Sequence, residues 1–185
     1  MSIILASASP RRRELMNVIT YEFTAVSVDA DETIPENTPA LAASEYLAKI
    51  KAAAAAEIYP DEMVIGCDTT VICGDEILGK PKDKDECRRF MNMLSGRTHQ
   101  VATGCCIISN GKKFSFTEVT DVTFRQLTSD EIEEYISTDE PYDKAGGYGI
   151  QGKAALLIEK INGDYFNVVG LPLSRLNQAI NLYKE

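Results

Sequence analysis

Apolar and polar positions along the chain follow two periods, and these periods predict strands and helices in alternation. Short apolar runs rich in β-branched residues predict strands at 3–5, 21–28, 63–73 and 99–109. Helical segments begin where a capping residue comes first, and four such starts are Ser9-Pro10, Thr38-Pro39, Asp83 or Asp85, and Thr128. A terminal helix is predicted over 173–183. The pattern is typical of an α/β protein.

Tight-turn sequences join several of the predicted strands directly. Gly74-Asp75-Glu76, Asn110-Gly111 and Asn162-Gly163 each lie between two apolar runs. We therefore expect three hairpins, at 63–78, 99–125 and 155–169. Hairpins pair strands antiparallel, whereas helical crossovers connect parallel strands, so the sheet should be mixed. No linker or repeat interrupts the 185 residues, and we expect one domain over 1–185, long enough to hold two small lobes.

Charge and cysteine usage exclude several classes of protein. A net charge of −9 argues against a nucleic-acid-binding protein. No run of about 18 apolar residues is present, so no membrane span is expected. The N-terminal apolar stretch has no basic residue before it, unlike a signal peptide. The five cysteines are odd in number and form no CxxC pair, which favours buried thiols in a reducing, cytoplasmic setting.

The first candidate site is the basic cluster in LASASPRRREL, residues 5–15. Ser7, Ser9 and three consecutive arginines, Arg11, Arg12 and Arg13, meet at the predicted start of a helix in an otherwise acidic chain. Helix N-termini favour anions and disfavour cations, so arginines there make sense if a phosphate binds between them. The alternative is a solvated basic turn.

The second candidate is Asp68 in the apolar strand sequence GCDTTV. An unpaired carboxylate inside a buried strand is costly, so Asp68 is expected to bind a cation, pair with a base or take part in chemistry. Glu32, in an acidic loop, could supply a second oxygen ligand for Mg²⁺ or Mn²⁺. A local turn or a buried salt bridge remains open for Asp68, and simple solvation for Glu32.

Three further polar residues are candidates on weaker grounds. Lys51 and Lys80 are single basic residues, of a kind usually found on the surface, although glycine and proline flank Lys80. Gln151 in GIQG could read a base edge through its paired donor and acceptor, or could simply accompany turn glycines. His99 is interpreted as structural, and KAGGYG has the spacing of neither a Walker A loop nor a dinucleotide fingerprint.

Taken together, these segments resemble the Maf family of nucleotide pyrophosphatases over nearly the whole chain. The segments that carry the resemblance are LASASPRRREL (5–15), VDADET (28–33), GCDTTV (66–71), LGKP (78–81), LSGRTHQVATG (94–104), EPYDKAGGYGIQG (140–152) and NGDYFNVVGLPL (162–173). Two small departures are Cys67 and Gly147, where alanine is usual.

The resemblance implies a fold, an activity and a set of residues. The fold is α/β, with a central twisted mixed sheet flanked by helices and two lobes around a cleft, and members often form homodimers. They hydrolyse nucleoside triphosphates to monophosphate and pyrophosphate with a divalent cation, Mg²⁺, Mn²⁺ or Co²⁺. DKAGGYGIQG is similar to the branch that acts on dTTP and UTP. The implied roles are proton acceptor and metal ligand for Asp68, metal ligand for Glu32, triphosphate binding for Ser7, Arg11, Arg12, Lys51 and Lys80, and base choice for Arg11, Thr69 and Gln151.

Two other functions stay open at this point. One is a pyrophosphatase for inosine-type or modified nucleotides. The other is a nucleotide-binding regulator of cell division that does not turn its ligand over.

Overall fold

The computed structural model describes residues 2–183, which form a mixed α/β fold. The strands are β1 (Ile3–Ala6), β2 (Phe23–Val26), β3 (Met63–Cys73), β4 (Glu76–Leu78), β5 (Thr98–Ser109), β6 (Lys112–Phe124) and β7 (Ile158–Asn162). The α-helices are α1 (Pro10–Ile19), α2 (Ala40–Ile58), α3 (Lys84–Leu94), α4 (Ser129–Ile136), α5 (Tyr165–Val169) and α6 (Leu173–Leu182). Three short 3₁₀ turns are Pro141–Asp143, Ala145–Gly147 and Lys153–Leu156. The predicted fold class is confirmed.

The strands form one seven-stranded mixed sheet in the order β2-β1-β3-β5-β6-β7, with β4 paired to β3. β1 runs parallel to both β2 and β3, because α1 and α2 provide the crossovers. β3 and β4 are antiparallel, as are β6 and β7. The mixed sheet predicted from the turn sequences is therefore confirmed.

The chain divides into two compact units. Unit 1 holds the described residues up to Thr69, Thr103–Glu118 and the described residues from Gly170 onward. Unit 2 holds Thr70–Ala102 and Val119–Val169. The strands β3, β5 and β6 each contribute residues to both units. The prediction of a single domain over 1–185 with two lobes around a cleft stays a prediction.

In unit 1, helix α2 lies unusually close to the sheet. A Cβ atom at Gly66 would overlap the backbone of Ala48 and Ala52 on α2, and one at Gly104 would overlap the backbone of Ser44 and Glu45. Two glycines on β3 and β5 and small residues on the facing helix thus permit backbone-to-sheet contact. The Glu45 carboxylate accepts hydrogen bonds from Ser115 and Thr117 of β6, at 2.8 and 3.0 Å, and so holds this end of α2.

Unit 2 has its own apolar core. Leu78, Phe90, Met91, Leu94 and Phe124 are buried in it, together with residues of α4 and of the turns that follow. The helices α3 and α4 are capped as predicted. The Asp83 side chain accepts the N–H of Glu86 before α3, and Thr128 with Glu131 forms a capping box at α4. Local sequence therefore determined these helix starts.

Two local predictions are wrong. The third hairpin does not form, because residues 165–169 are the helix α5 and β7 pairs with β6. The Asp164 side chain accepts the N–H of Phe166 at 2.8 Å, and its backbone exchanges hydrogen bonds with the Thr120 hydroxyl, both of 3.0 Å, so the turn is tied to β6. At α2 the cap residue is Pro39 and makes no side-chain cap bond, so Thr38 does not cap the helix.

All five cysteines are free and buried, as predicted. Cys67 and Cys105 lie on neighbouring strands of unit 1 with their sulfurs 3.5 Å apart. In residues 2–183 the structure contains no helix that is both long and apolar enough to cross a membrane.

His99 is structural in its placement, as the sequence indicated. Its ring lies edge-on to Phe124 and Tyr148, and its Nε2 lies 2.6 Å from the Tyr148 hydroxyl. Its Nδ1 is buried with no hydrogen-bond partner within the described chain. Burial lowers the pKa of His99 from its ordinary 6.5 to about 4, because the charged ring would lose its hydration.

We expect this histidine to make the fold acid-sensitive. Since the pKa in the folded state is below the unfolded value, protonation favours unfolding. The His99 contribution is present above pH 6.5 and is lost as the pH falls toward 4, by about 2 kcal/mol at pH 5. Urea unfolding at pH 7 and pH 5 measures it, with His99→Phe as the comparison. An equal loss of stability in both proteins would contradict this expectation.

Candidate active site

The carboxylate of Asp68 and the ammonium of Lys51 form the centre of the candidate site in unit 1. Lys51 Nζ lies 2.5 Å from Asp68 Oδ1, and the two side chains are only 15% and 14% exposed. Asp68 projects from β3 two residues after Gly66, on the face that α2 covers. The close approach of α2 to the sheet is what brings Lys51 within hydrogen-bond distance of this carboxylate.

Glu32 contacts the same ammonium group. Its Oε2 is 3.2 Å from Lys51 Nζ, and its side chain is 54% exposed in the loop that follows β2. Two carboxylates therefore converge on one cation, one from a buried strand and one from an open loop. The buried-salt-bridge alternative for Asp68 describes part of this geometry, but a half-exposed second carboxylate gives the cluster an opening to water.

Arg12 forms the second cluster in unit 1. Its Nε donates to the carbonyl oxygen of Gly170 at 2.8 Å, and Nη1 donates to the carbonyl oxygen of Cys67 at 3.0 Å and to Ser7 Oγ at 3.3 Å. Nη2 donates to Thr69 Oγ1 at 2.9 Å. One guanidinium thus connects the loop after β1, the strand that carries Asp68 and the segment before α6.

The start of α1 explains why Arg12 is held there. Ser9 caps the helix by accepting the N–H of Arg12, and Pro10 occupies the first turn. The hydroxyl of Ser7, which is buried, accepts the N–H of Ser9 at 3.2 Å. Arg11 is half-buried beside Arg12, whereas Arg13 is exposed. Only part of the arginine triplet is therefore oriented by the fold.

Two network residues were missed by the sequence analysis. Thr103 Oγ1 lies 2.9 Å from Thr69 Oγ1, and the Gly170 carbonyl accepts from Arg12. Gly170 has a φ of 124°, a conformation that favours glycine. The glycine itself was the one signal in the sequence for this position. Nothing local marks Thr103, because its role follows from the alignment of β5 with β3.

The remaining candidates lie in unit 2. Lys80 follows β4, and Gln151 lies in the turn before Lys153–Leu156, and both side chains are exposed. The structure brings together Ser7, Arg12 and Thr69 as one cluster and Glu32, Lys51 and Asp68 as another. The participation of Lys80 and Gln151 in the same site stays a prediction.

The two carboxylates of the Asp68 cluster, Glu32 and Asp68, fit a divalent cation that takes most of its other ligands from water or substrate. Residues 2–183 hold no group of three or more His, Cys, Asp or Glu side chains arranged to bind a metal. Glu32 and Asp68 provide two carboxylates around one positive charge. Mg²⁺ commonly binds proteins through one or two carboxylates, with waters and phosphate oxygens completing its shell.

Comparison with known proteins supplies a family and a fold. A family model described as "Maf-like protein" matches residues 2–182. A dTTP/UTP pyrophosphatase of Geobacillus sp. (strain WCH70) is 50% identical over 173 residues, covering 94% of this chain and 93% of that protein. One of Desulforamulus reducens is 46% identical over 183 residues, covering 98% and 96%.

The fold is also similar to two solved structures. The Staphylococcus aureus Ham1 protein superimposes with a TM-score of 0.59 at 14% identity, covering 98% of each chain. A HAM1 protein from Coxiella burnetii gives a TM-score of 0.55 at 15% identity, covering 97% of this chain and 98% of that one. At such identities the likeness concerns the fold alone.

Proposed function

Because this chain belongs to the Maf-like protein family, we propose that it hydrolyses the α–β phosphoanhydride bond of dTTP or UTP, releasing the nucleoside monophosphate and pyrophosphate. The observation that carries the proposal is the Asp68–Lys51–Glu32 cluster of unit 1. It combines a carboxylate that can accept a proton with an ammonium group that can bind a phosphate oxygen. The relatives named dTTP/UTP pyrophosphatase support the same reaction and the same two substrates.

In the proposed mechanism Asp68 is the general base. It accepts a proton from a water molecule that attacks the α-phosphorus, and its 14% exposure leaves the carboxylate accessible to such a water. Lys51 holds Oδ1 in place through the 2.5 Å contact and contributes a positive charge beside the reacting phosphate. Positioning and electrostatic stabilisation supply most of the rate in phosphoryl transfer, and this pair provides both.

The basic residues neutralise the triphosphate. The four hydrogen bonds of Arg12 use four of its five N–H groups, and we infer that the remaining one, on Nη2, donates to a phosphate oxygen. Arg11, beside it, and Lys80 of unit 2 supply further positive charge. Without such local charges a protein of net charge −9 would repel a polyphosphate.

A divalent cation, Mg²⁺, Mn²⁺ or Co²⁺, would be held by Glu32 and Asp68. When bound, such an ion polarises phosphate oxygens and stabilises negative charge on the leaving pyrophosphate. Arg12 Nη1 donates both to Ser7 Oγ and to the carbonyl oxygen of Cys67, the residue before Asp68, and so ties the strand that carries the general base to the start of α1. We propose that Thr69 and Gln151 contact the base and that Arg11 assists them.

The test is a panel of nucleoside triphosphates with each metal in turn. We expect dTTP and UTP to give monophosphate and pyrophosphate in equal amounts, and formation of both products to require the added cation. Faster turnover of inosine-type or modified nucleotides would assign the chain to the other pyrophosphatase class. Tight triphosphate binding without any product would favour the nucleotide-binding regulator. A homodimer and a cytoplasmic location stay predictions, and light scattering of the purified chain tests the first.

A further inference from the structure

Glu140 closes a loop in unit 2 that the reaction scheme above does not use. Its Oε2 accepts the N–H of Lys153 at 2.7 Å, and its Oε1 accepts the N–H of Ala154 at 3.1 Å. The Tyr135 hydroxyl donates to Oε1 at 3.2 Å. One carboxylate thus joins residue 140 to the start of the 3₁₀ turn Lys153–Leu156. The intervening residues 141–152 form a loop whose two ends are tied together.

Gln151 and Gly152 immediately precede the bonded amides. A Cβ atom at Gly152 would overlap the Glu140 carboxylate, so glycine here is what allows the carboxylate to reach the turn. Gln151, one residue earlier, is exposed. Glu140 therefore holds the backbone that directly follows Gln151, while the Gln151 side chain stays accessible to a ligand.

The body of the loop is held as well. Lys144 Nζ donates to the Glu140 carbonyl oxygen at 2.7 Å, and the N–H of Gly146 donates to the Gly79 carbonyl oxygen at 2.9 Å. Gly79 directly precedes Lys80. The loop therefore carries one candidate substrate-binding residue, Gln151. It is also bonded to the backbone next to a second one, Lys80.

Bonds from backbone N–H groups to a carboxylate are stronger than bonds between neutral groups, and two of them share the Glu140 carboxylate. A solvated surface loop does not require two such bonds to one carboxylate. They suit a turn whose side chain must stay in one place while it discriminates between ligands, because recognition through hydrogen bonds depends on the preorganised position of donor and acceptor.

We propose that Glu140 is a positioning residue for nucleotide selection: its carboxylate holds the turn that presents Gln151 to the base of the nucleotide. The proposal rests on the proposed function, in that the ligand is a pyrimidine nucleoside triphosphate. Glu140 itself contacts no substrate in this scheme.

Two substitutions break the same contact from opposite sides. Glu140→Ala removes the carboxylate, and Gly152→Ala places a methyl group where the carboxylate lies. The matched control is Glu131→Ala, which removes another carboxylate that bonds a backbone N–H in unit 2, that of Thr128 at 2.8 Å, outside the loop. Glu140→Gln keeps one acceptor oxygen and should be intermediate.

The measured quantity is the ratio of kcat/KM for dTTP to that for dATP, together with the ratio of their affinities by calorimetry. We expect both ratios to fall at least tenfold in Glu140→Ala and Gly152→Ala, with KM for dTTP rising more than kcat falls. The amides of Lys153 and Ala154 should lose hydrogen-exchange protection in the same two variants. Glu131→Ala should retain the wild-type ratios.

Unchanged ratios in Gly152→Ala or Glu140→Gln, with exchange at Lys153 and Ala154 accelerated, would overturn the positioning role. So would an equal fall of the ratios in Glu131→Ala, since this would reflect general destabilisation. If the wild-type chain released no pyrophosphate, the proposed function would fail, whereas the affinity ratios would still decide the role of Glu140.

Discussion

Replacing Asp68 with asparagine should lower kcat for dTTP by on the order of 10²–10⁴-fold, the range that general-base catalysis usually contributes. The amide keeps an oxygen that can accept the 2.5 Å hydrogen bond from Lys51, so the side chain stays in place. It cannot take a proton from water at neutral pH. Steady-state kinetics with the preferred metal, together with thermal unfolding of both proteins, separate lost catalysis from lost folding.

A matched control for this substitution is Asp121→Asn. Asp121 is also a half-buried aspartate on a strand, it accepts a hydrogen bond from Gln100, and it belongs to neither site cluster. Its replacement should leave kcat within about twofold of the wild type, as is usual for changes away from the reacting groups. Turnover retained in Asp68→Asn would remove Asp68 from the role of base.

The second large effect is expected from Gly104→Ala, which should destabilise the fold by about 3 kcal/mol, near the upper end for one added methyl group in a packed interior. The new Cβ would overlap backbone atoms of Ser44 and Glu45, which cannot rotate away as a side chain would. Helix α2 would have to move from the sheet. Lys51, one to two turns further along α2, would then be displaced from Asp68, and kcat should fall as well.

Urea unfolding measures this loss, with Gly79→Ala as the matched control because a Cβ at Gly79 has no atom within 4 Å. The control should unfold at nearly the wild-type urea concentration. Equal midpoints for Gly104→Ala and the wild type would show that α2 can move without cost, and that its close packing does not position Lys51.

Local signals predicted most of the fold. Ser9-Pro10, Asp83 and the Thr128 capping box each contain their own hydrogen-bond partners within four residues, so the starts of α1, α3 and α4 could be read from sequence. The wrong hairpin at 155–169 shows the limit. Tyr165–Val169 has strand-like composition but is the helix α5, and the preceding Asp164 bonds both to the Phe166 N–H and to Thr120, which is 44 residues away.

The candidate site was also predictable only in part: the sequence marked its central residues but not all of their partners. Unusual residue types in unusual places marked Asp68 and Arg12, and the fold brings partners to both. The partners themselves were less visible. Thr103 reaches Thr69 through strand pairing, and Glu140 acts across a loop of 12 residues, so neither distance could be inferred from local pattern.

The burial of all five thiols gives the folded chain a practical property. Reagents that alkylate cysteine need an accessible sulfur, so the native protein should react slowly with maleimide dyes. One cysteine introduced on the surface, for example at Glu159, could then carry a fluorophore alone. Nucleotide binding and chain association would become observable by fluorescence without removing any native cysteine.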